Sequence, residues 1–272
     1  MAMKLAWLTD IHLNFVDSVR LQRFFESVRQ QADAVVISGD IAESHDICRY
    51  LRRIEEIVEK PIYFVLGNHD FYRGSISQVR RMVADLVQDS KYLNYLTMMG
   101  SVELTPNTAI VGHDGWYDGR LGDYDGSEVI LNDHLLIAEL AACWNGVNLD
   151  KQRLRPILAA LADEAARHFE IVLEQAARKY PNVIAVTHVP PFREAAWYLG
   201  KTSADDFLPY FSSKAIGDVM QKVMQTHPRS NLLVLCGHTH GDGQLQVLDN
   251  LRVLTGEAEY GKLKLLRCLE VA

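Results

Sequence analysis

The chain is poor in cysteine: four occur in 272 residues, Cys48, Cys143, Cys236 and Cys268, with no CxxC pair. That spacing excludes a zinc ribbon and a disulfide framework. Cys236, inside an apolar run, reads as a small buried residue. No apolar run approaches membrane-spanning length. The opening MAMKLAWLTD lacks the long apolar core and cleavage site of a secretory signal, so a reducing, cytoplasmic setting is expected. Positive charge is also scarce, with 28 Lys and Arg against 35 Asp and Glu and a net charge of −7. This argues against a general nucleic-acid or membrane surface. It does not exclude an anionic substrate, because bound divalent cations can dominate a local field. Repeats, low-complexity segments and linkers are missing as well. One domain over residues 1–272 is the expectation.

What the chain does have is apolar content, 48%, enough for a folded core. Buried strands are expected at about 4–9, 34–38, 62–66, 108–112, 183–187 and 232–236. Amphipathic helices are expected over 18–31, 46–59 and 75–89. The opening β-α-β-α-β-α order predicts an α/β fold with parallel strands and crossover helices. Residues 128–143 and 150–180 read as two further helices, and 114–180 as a helical insertion or flap. The C-terminal part returns to strands in QLQVL, LRVLTG and KLKLLRCLEV, with Asp249-Asn250 as a turn.

Five polar motifs recur near the ends of these strands: Asp10-Ile11-His12, Gly39-Asp40, Gly67-Asn68-His69-Asp70, Thr187-His188 and Gly237-His238-Thr239-His240. In open α/β sheets that edge is where ligands bind. Each motif alone has a bland explanation. Asp10 and His12 fit a capped turn, and Gly39-Asp40 fits a simple turn before a helix. As residues i and i+2 of a strand, Asp10 and His12 would share one side. Two imidazoles after a buried strand, His238 and His240, are costly unless paired or ligating. Asp10, His12, Asp40, Asn68, His188, His238 and His240 offer carboxylate, amide and imidazole but no thiolate. Such a set suits Mn²⁺, Fe or Zn²⁺. Seven donors exceed one four-coordinate ion and suit two ions about 3.5–4 Å apart.

The order D-x-H, G-D, G-N-H-D, H, G-H-x-H, spanning residues 10–240, resembles the calcineurin-like metallophosphoesterase superfamily. The resemblance implies a four-layer α/β/β/α sandwich of two mixed sheets flanked by helices. It implies that Asp10, His12, Asp40 and His240 hold one divalent metal. Asp40 then bridges to a second, held with Asn68, His188 and His238. It also implies a bridging hydroxide that attacks phosphorus in line. His69 is the expected catalytic histidine near the leaving group, with Asp70 as the carboxylate that orients it.

Substrate choice is expected elsewhere. His113, Asp114, Trp116 and Tyr117, after the strand TAIVG, could wall a pocket, with the two aromatic rings stacking on a nucleobase. An aromatic-capped structural loop is the competing reading. The expected reaction is hydrolysis of a small soluble phosphomonoester or phosphodiester, with neither nucleic acid nor membrane as partner. The alternatives are an inactive metal-binding scaffold, a DNA nuclease of the same superfamily, and a dinuclear hydrolase of amide or guanidino substrates.

Overall fold

The computed structural model describes residues 2–272. The first half alternates strand and helix: β1 (Met3–Leu8), α1 (Ser18–Gln31), β2 (Ala34–Ser38), α2 (Ile47–Val58), β3 (Ile62–Val65), α3 (Ile76–Gln88) and β4 (Leu93–Tyr95). There follow β5 (Val102–Thr105), β6 (Thr108–Gly112), two single turns α4 (Asp133–Leu136) and α5 (Ala138–Ala141), and the long α6 (Lys151–Lys179). The chain closes through β7 (Asn182–Val186), a small hairpin of β8 (Trp197–Tyr198) and β9 (Lys201–Thr202), α7 (Leu208–Phe211) and α8 (Lys214–Thr226). Last come β10 (Asn231–Cys236), β11 (Gly243–Leu248), β12 (Leu251–Thr255) and β13 (Arg267–Val271).

Three of the helices, α1, α3 and α6, begin where the sequence supplies an oxygen for the unpaired amides of the first turn. Asp17 accepts from Val19 and Arg20 at 3.1 and 2.9 Å. Ser75 accepts from Gln78 at 3.2 Å. Asp150 accepts from Gln152 and Arg153 at 3.0 and 3.1 Å.

One sheet has the order β13-β1-β2-β3-β4, with β1 to β4 parallel and β13 antiparallel to β1. The other has the order β11-β12-β10-β7-β6-β5, parallel from β6 through β12 with antiparallel edges. Alternation along each strand sorts side chains into three apolar layers. Leu5, Trp7, Ala34, Val36 and Val65 meet Ile110, Ile184, Val186, Leu235 and Leu254 between the sheets. Ala6, Leu8, Val35 and Ile37 face outward against α1, α2 and α3. Val183, Ala185, Val234 and Cys236 face α6 and α8. The result is the expected four-layer sandwich of two mixed sheets flanked by helices. The carboxyl ends of β1, β2, β3, β7 and β10 come together at one edge.

Two expectations about the middle of the chain are corrected. The stretch 128–143 is not one helix but two single turns, broken at Ile137, whose backbone is extended. The segment 150–180 is not part of a flap. The C-terminal half of α6 buries Phe169, Val172, Leu173 and Ala176 against the second sheet and α8, so it forms a layer of the sandwich. β4, β5 and α8 lie outside the sequence expectations.

Candidate metal centre

The five motifs meet at that shared edge, three of them through left-handed backbone. Among the described residues, eight non-glycine residues have positive φ, and five of them are Asp10 (48°), His12 (40°), Asp40 (51°), His238 (71°) and His240 (57°). β1 has already ended at Leu8, so strand alternation does not pair Asp10 with His12. The left-handed turns do so instead. Such conformations cost of order 1–3 kcal/mol each and persist only where surrounding structure imposes them. Here the strand-end loops hold one another. Asp10 N–H donates to Gly39 O and His12 N–H to Asp40 O, both at 3.0 Å. Gly237 N–H donates to His188 O at 2.9 Å, and His238 N–H to Asp10 Oδ1 at 3.0 Å.

Asp10, His12, Asp40 and His240 place one donor atom each within 4.8 Å of one another. His12 Nε2 and His240 Nε2 lie 3.3 Å apart, and His240 Nε2 lies 3.3 Å from Asp10 Oδ1. Burial depresses the His12 pKa to about 4 against the pull of Asp40. His12 therefore keeps a lone pair for a cation.

A second group sits on the other side of Asp40. His188 Nε2 and His238 Nδ1 each lie 2.9 Å from Asn68 Oδ1, and His188 Nε2 lies 3.4 Å from Asp40 Oδ1. The orientation of each donor is set from behind. Carbonyl oxygens only accept, so Ser38 O, 2.9 Å from His188 Nδ1, fixes the proton there. Tyr210 O does the same for His238 Nε2 at 2.9 Å. The Asn68 amide nitrogen donates to Asp133 Oδ1 at 2.8 Å, which turns Oδ1 toward the two histidines. The inward-facing atoms are then all acceptors. Such a set is repulsive unless a proton or metal cation sits among them. Burial opposes a charged His188, but Asp40 and Asp10 outweigh it and raise its pKa to about 10. The site thus attracts positive charge strongly. The donors present fit divalent cations of the borderline class.

Asp40 is the hub. Its Oδ1 faces His188 and accepts from His69 N–H at 2.8 Å. Its Oδ2 lies 3.8 Å from His12 Nε2 and 3.9 Å from His69 Nε2. Burial would raise its pKa, but His188 and His69 hold it well below the usual carboxylate range. Gly39, at φ +95°, makes room for this packing, since a Cβ there would lie 2.5 Å from His188 Nδ1. Gly67 makes room as well, because its Cβ would collide with Asp40 Oδ1. The His69 ring stacks on Tyr72 at 4.2 Å and meets His12 edge-on at 4.6 Å, partly open to solvent.

Several sequence expectations change. Asp70 does not orient His69. Its carboxylate accepts from Ile41, Ala42 and Gly67 N–H at 2.9, 2.7 and 2.8 Å, pinning two ligand loops together. Burial and the Asp40 charge push its pKa well above the usual range. Trp116 and Tyr117 wall no open pocket, being 2% and 0% exposed in the core. Asp114 is a buried clamp that accepts from Leu66 N–H, Arg80, Tyr95 and Thr97 at 2.7–2.9 Å. His113 is buried beside it, and its Nδ1 accepts from Gly115 N–H at 3.1 Å. These four residues support the site's frame and do not contact its open side. Sequence reading missed Asp133, whose carboxylate also accepts from Tyr72 and Tyr117 hydroxyls at 2.7 and 2.9 Å. It missed Tyr260, whose ring lies 4.5 Å from His12 and 5.3 Å from His240.

The sequence matches the model of the calcineurin-like phosphoesterase family over residues 3–242, and the chain belongs to that family. The fold is similar to that of a phosphopantetheinyl hydrolase from Mycobacterium tuberculosis, with a TM-score of 0.67 at 15% identity, covering 93% of this chain and 89% of that one. It is also similar to a dimetal phosphatase from Danio rerio, with a TM-score of 0.57 at 16% identity, covering 94% and 87%. No curated protein matches the sequence. The described residues contain no helix long and apolar enough to cross a membrane.

Proposed function

We propose that this chain is a dinuclear metal-dependent phosphoester hydrolase acting on small phosphomonoesters or phosphodiesters. The observation that carries the reading is the placement of Asp40. Its two oxygens face two separate donor groups, Oδ2 the Asp10–His12–His240 side and Oδ1 the Asn68–His188–His238 side. One carboxylate can then serve two ions. Bound there, two divalent cations supply an acidified water as nucleophile and positive charge for the phosphate oxygens. Ser38 O and Tyr210 O keep the His188 and His238 protons away from the donor cluster. His69, held by its backbone bond to Asp40 and its stack on Tyr72, presents Nε2 to the same space. That atom is placed to give a proton to the departing oxygen or to stabilise phosphoryl charge. Mn²⁺, Fe and Zn²⁺ all suit the donors. The net charge of −7 favours a small soluble ester over nucleic acid. Four unpaired cysteines support a reducing compartment.

The test is Asp40→Ala, with bound metal measured by elemental analysis and turnover on a panel of monoesters, diesters, nucleotides and cyclic nucleotides. Loss of metal and of hydrolysis together is expected. Normal metal content with undiminished hydrolysis would overturn the reading.

A further inference from the structure

With Trp116 and Tyr117 buried, the aromatic surface at the mouth of the site comes from other residues. Phe15 follows His12 by three positions, on a single helical turn over Leu13–Phe15. Tyr260 comes from the connection between β12 and β13, where Glu259 and Lys262 close a tight turn through a 3.0 Å backbone bond. That turn is tied to the site by Ala258 N–H, which donates to His240 O at 3.4 Å. The two rings meet edge to face at 5.1 Å. Tyr260 covers His12 and lies 6.0 Å from the His69 ring. Yet Phe15 remains 55% exposed and Tyr260 49% exposed. Adjacent half-open aromatic rings on the rim of a polar site leave apolar surface in water that a ligand can cover.

The side on which they stand matters. His69 is the residue proposed above to face the departing oxygen, and Tyr260 is its aromatic neighbour toward solvent. The rings form a chain from His69 to Tyr260 at 6.0 Å and on to Phe15 at 5.1 Å. The short His69–Tyr260 separation matches a ring joined to the ester oxygen directly or through a few bonds.

We propose that Phe15 and Tyr260 form the leaving-group subsite, and that it selects phosphoesters whose alcohol part carries a planar apolar ring. This rests on the phosphoesterase reading and narrows its substrate class. An aryl ester and a nucleotide share the planar ring but place it at different distances from phosphorus. The closeness of Tyr260 to His69 favours the aryl ester.

The test uses the metal-loaded full chain and the variants Phe15→Ala, Tyr260→Ala and Tyr260→Phe. For each, kcat/KM is measured on phenyl phosphate against ethyl phosphate, and on a nucleoside 5′-monophosphate against ribose 5-phosphate. Dividing each variant's ratio by that of wild type cancels the intrinsic difference between leaving groups. We expect the phenyl-to-ethyl ratio to fall about tenfold in both Ala variants, the size of one lost ring stack, and to be kept in Tyr260→Phe. A larger fall in the nucleotide ratio would make a base the natural occupant instead of an aryl group. Unchanged ratios on both pairs would overturn the subsite while leaving the hydrolase reading intact. If the wild type hydrolyses nothing, that reading fails, and binding of phenylphosphonate against ethylphosphonate by calorimetry decides the subsite alone. A preference for the phenyl compound lost in Tyr260→Ala supports it, and equal binding refutes it.

Discussion

Asn68 and Asp133 lie 65 positions apart in sequence, yet the Asn68 amide nitrogen donates to the Asp133 carboxylate at 2.8 Å with both residues buried. That bond decides which end of the amide faces His188 and His238. Without it the amide could present N–H groups to a cation and repel it.

Replacing Asp133 with Ala should therefore weaken metal binding at the Asn68 side by about 10–100-fold, the usual cost of losing a partner that orients a ligand. Calorimetric titration of metal-free protein with Mn²⁺ or Zn²⁺ measures this. Thermal unfolding without metal separates the effect from general destabilisation, since two tyrosine hydroxyls also lose their acceptor. Unchanged affinity at both sites would break the link.

His69→Asn should keep bound metal near the wild-type level, because His69 lies beside Asp40 without being needed by either donor group. Hydrolysis should fall by about 10²–10⁴-fold on an alkyl ester and much less on a nitrophenyl ester, whose leaving group needs no proton. Equal losses on the two esters would exclude proton donation and leave charge stabilisation as the role.

Gly39→Ala should destabilise the fold and disturb the site at once. A φ of +95° strains any side chain, and the added carbon would meet His188 Nδ1 at 2.5 Å and Gly67 N at 2.8 Å. A loss of at least about 1–3 kcal/mol in urea unfolding is expected, together with reduced metal content. A variant as stable as wild type with full metal would contradict the packing described.

His113 predicts a pH dependence. Burial lowers its pKa to about 3, with the Asp114 charge opposing. The unfolded chain protonates it near 6.5. Between those values the unfolded state binds more protons, so the contribution is full above about pH 6.5 and is lost as pH falls toward 3. His113→Gln should remove this component. Its unfolding free energy should drop less than that of wild type between pH 7 and pH 5, by about 1–2 kcal/mol. Parallel pH profiles would rule out His113 as the source.

How much of this was legible in the sequence depended on how local the cause was. α1 runs over 18–31 as its apolar spacing predicts, because Asp17 and an amphipathic face act within one segment. The strands carrying the motifs were legible because a buried parallel strand is a continuous apolar run. β4 and β5, of three and four residues, gave too short a pattern to read. Asp10 and His12 were rightly paired for the wrong reason, since strand periodicity says nothing of the left-handed turns that Asp and His tolerate. Trp116 and Tyr117 suit a core as well as a pocket wall, and only packing decides. Asp70 sits next to His69 in sequence, but its carboxylate is taken by amides from another loop. Asp133 acts wholly through tertiary contact and left no local signal.

Asp10 and His240, far apart in sequence, contribute to the same donor cluster, and β13 closes the first sheet against β1. The order of biosynthesis follows. During synthesis the donor cluster of Asp10, His12, Asp40 and His240 is complete only once His240 has been added, long after Asp10. A prematurely stopped chain ending before Gly237 would carry Asp10, His12, Asp40, Asn68 and His188 but neither His238 nor His240. Such a fragment lacks one donor on each side of Asp40.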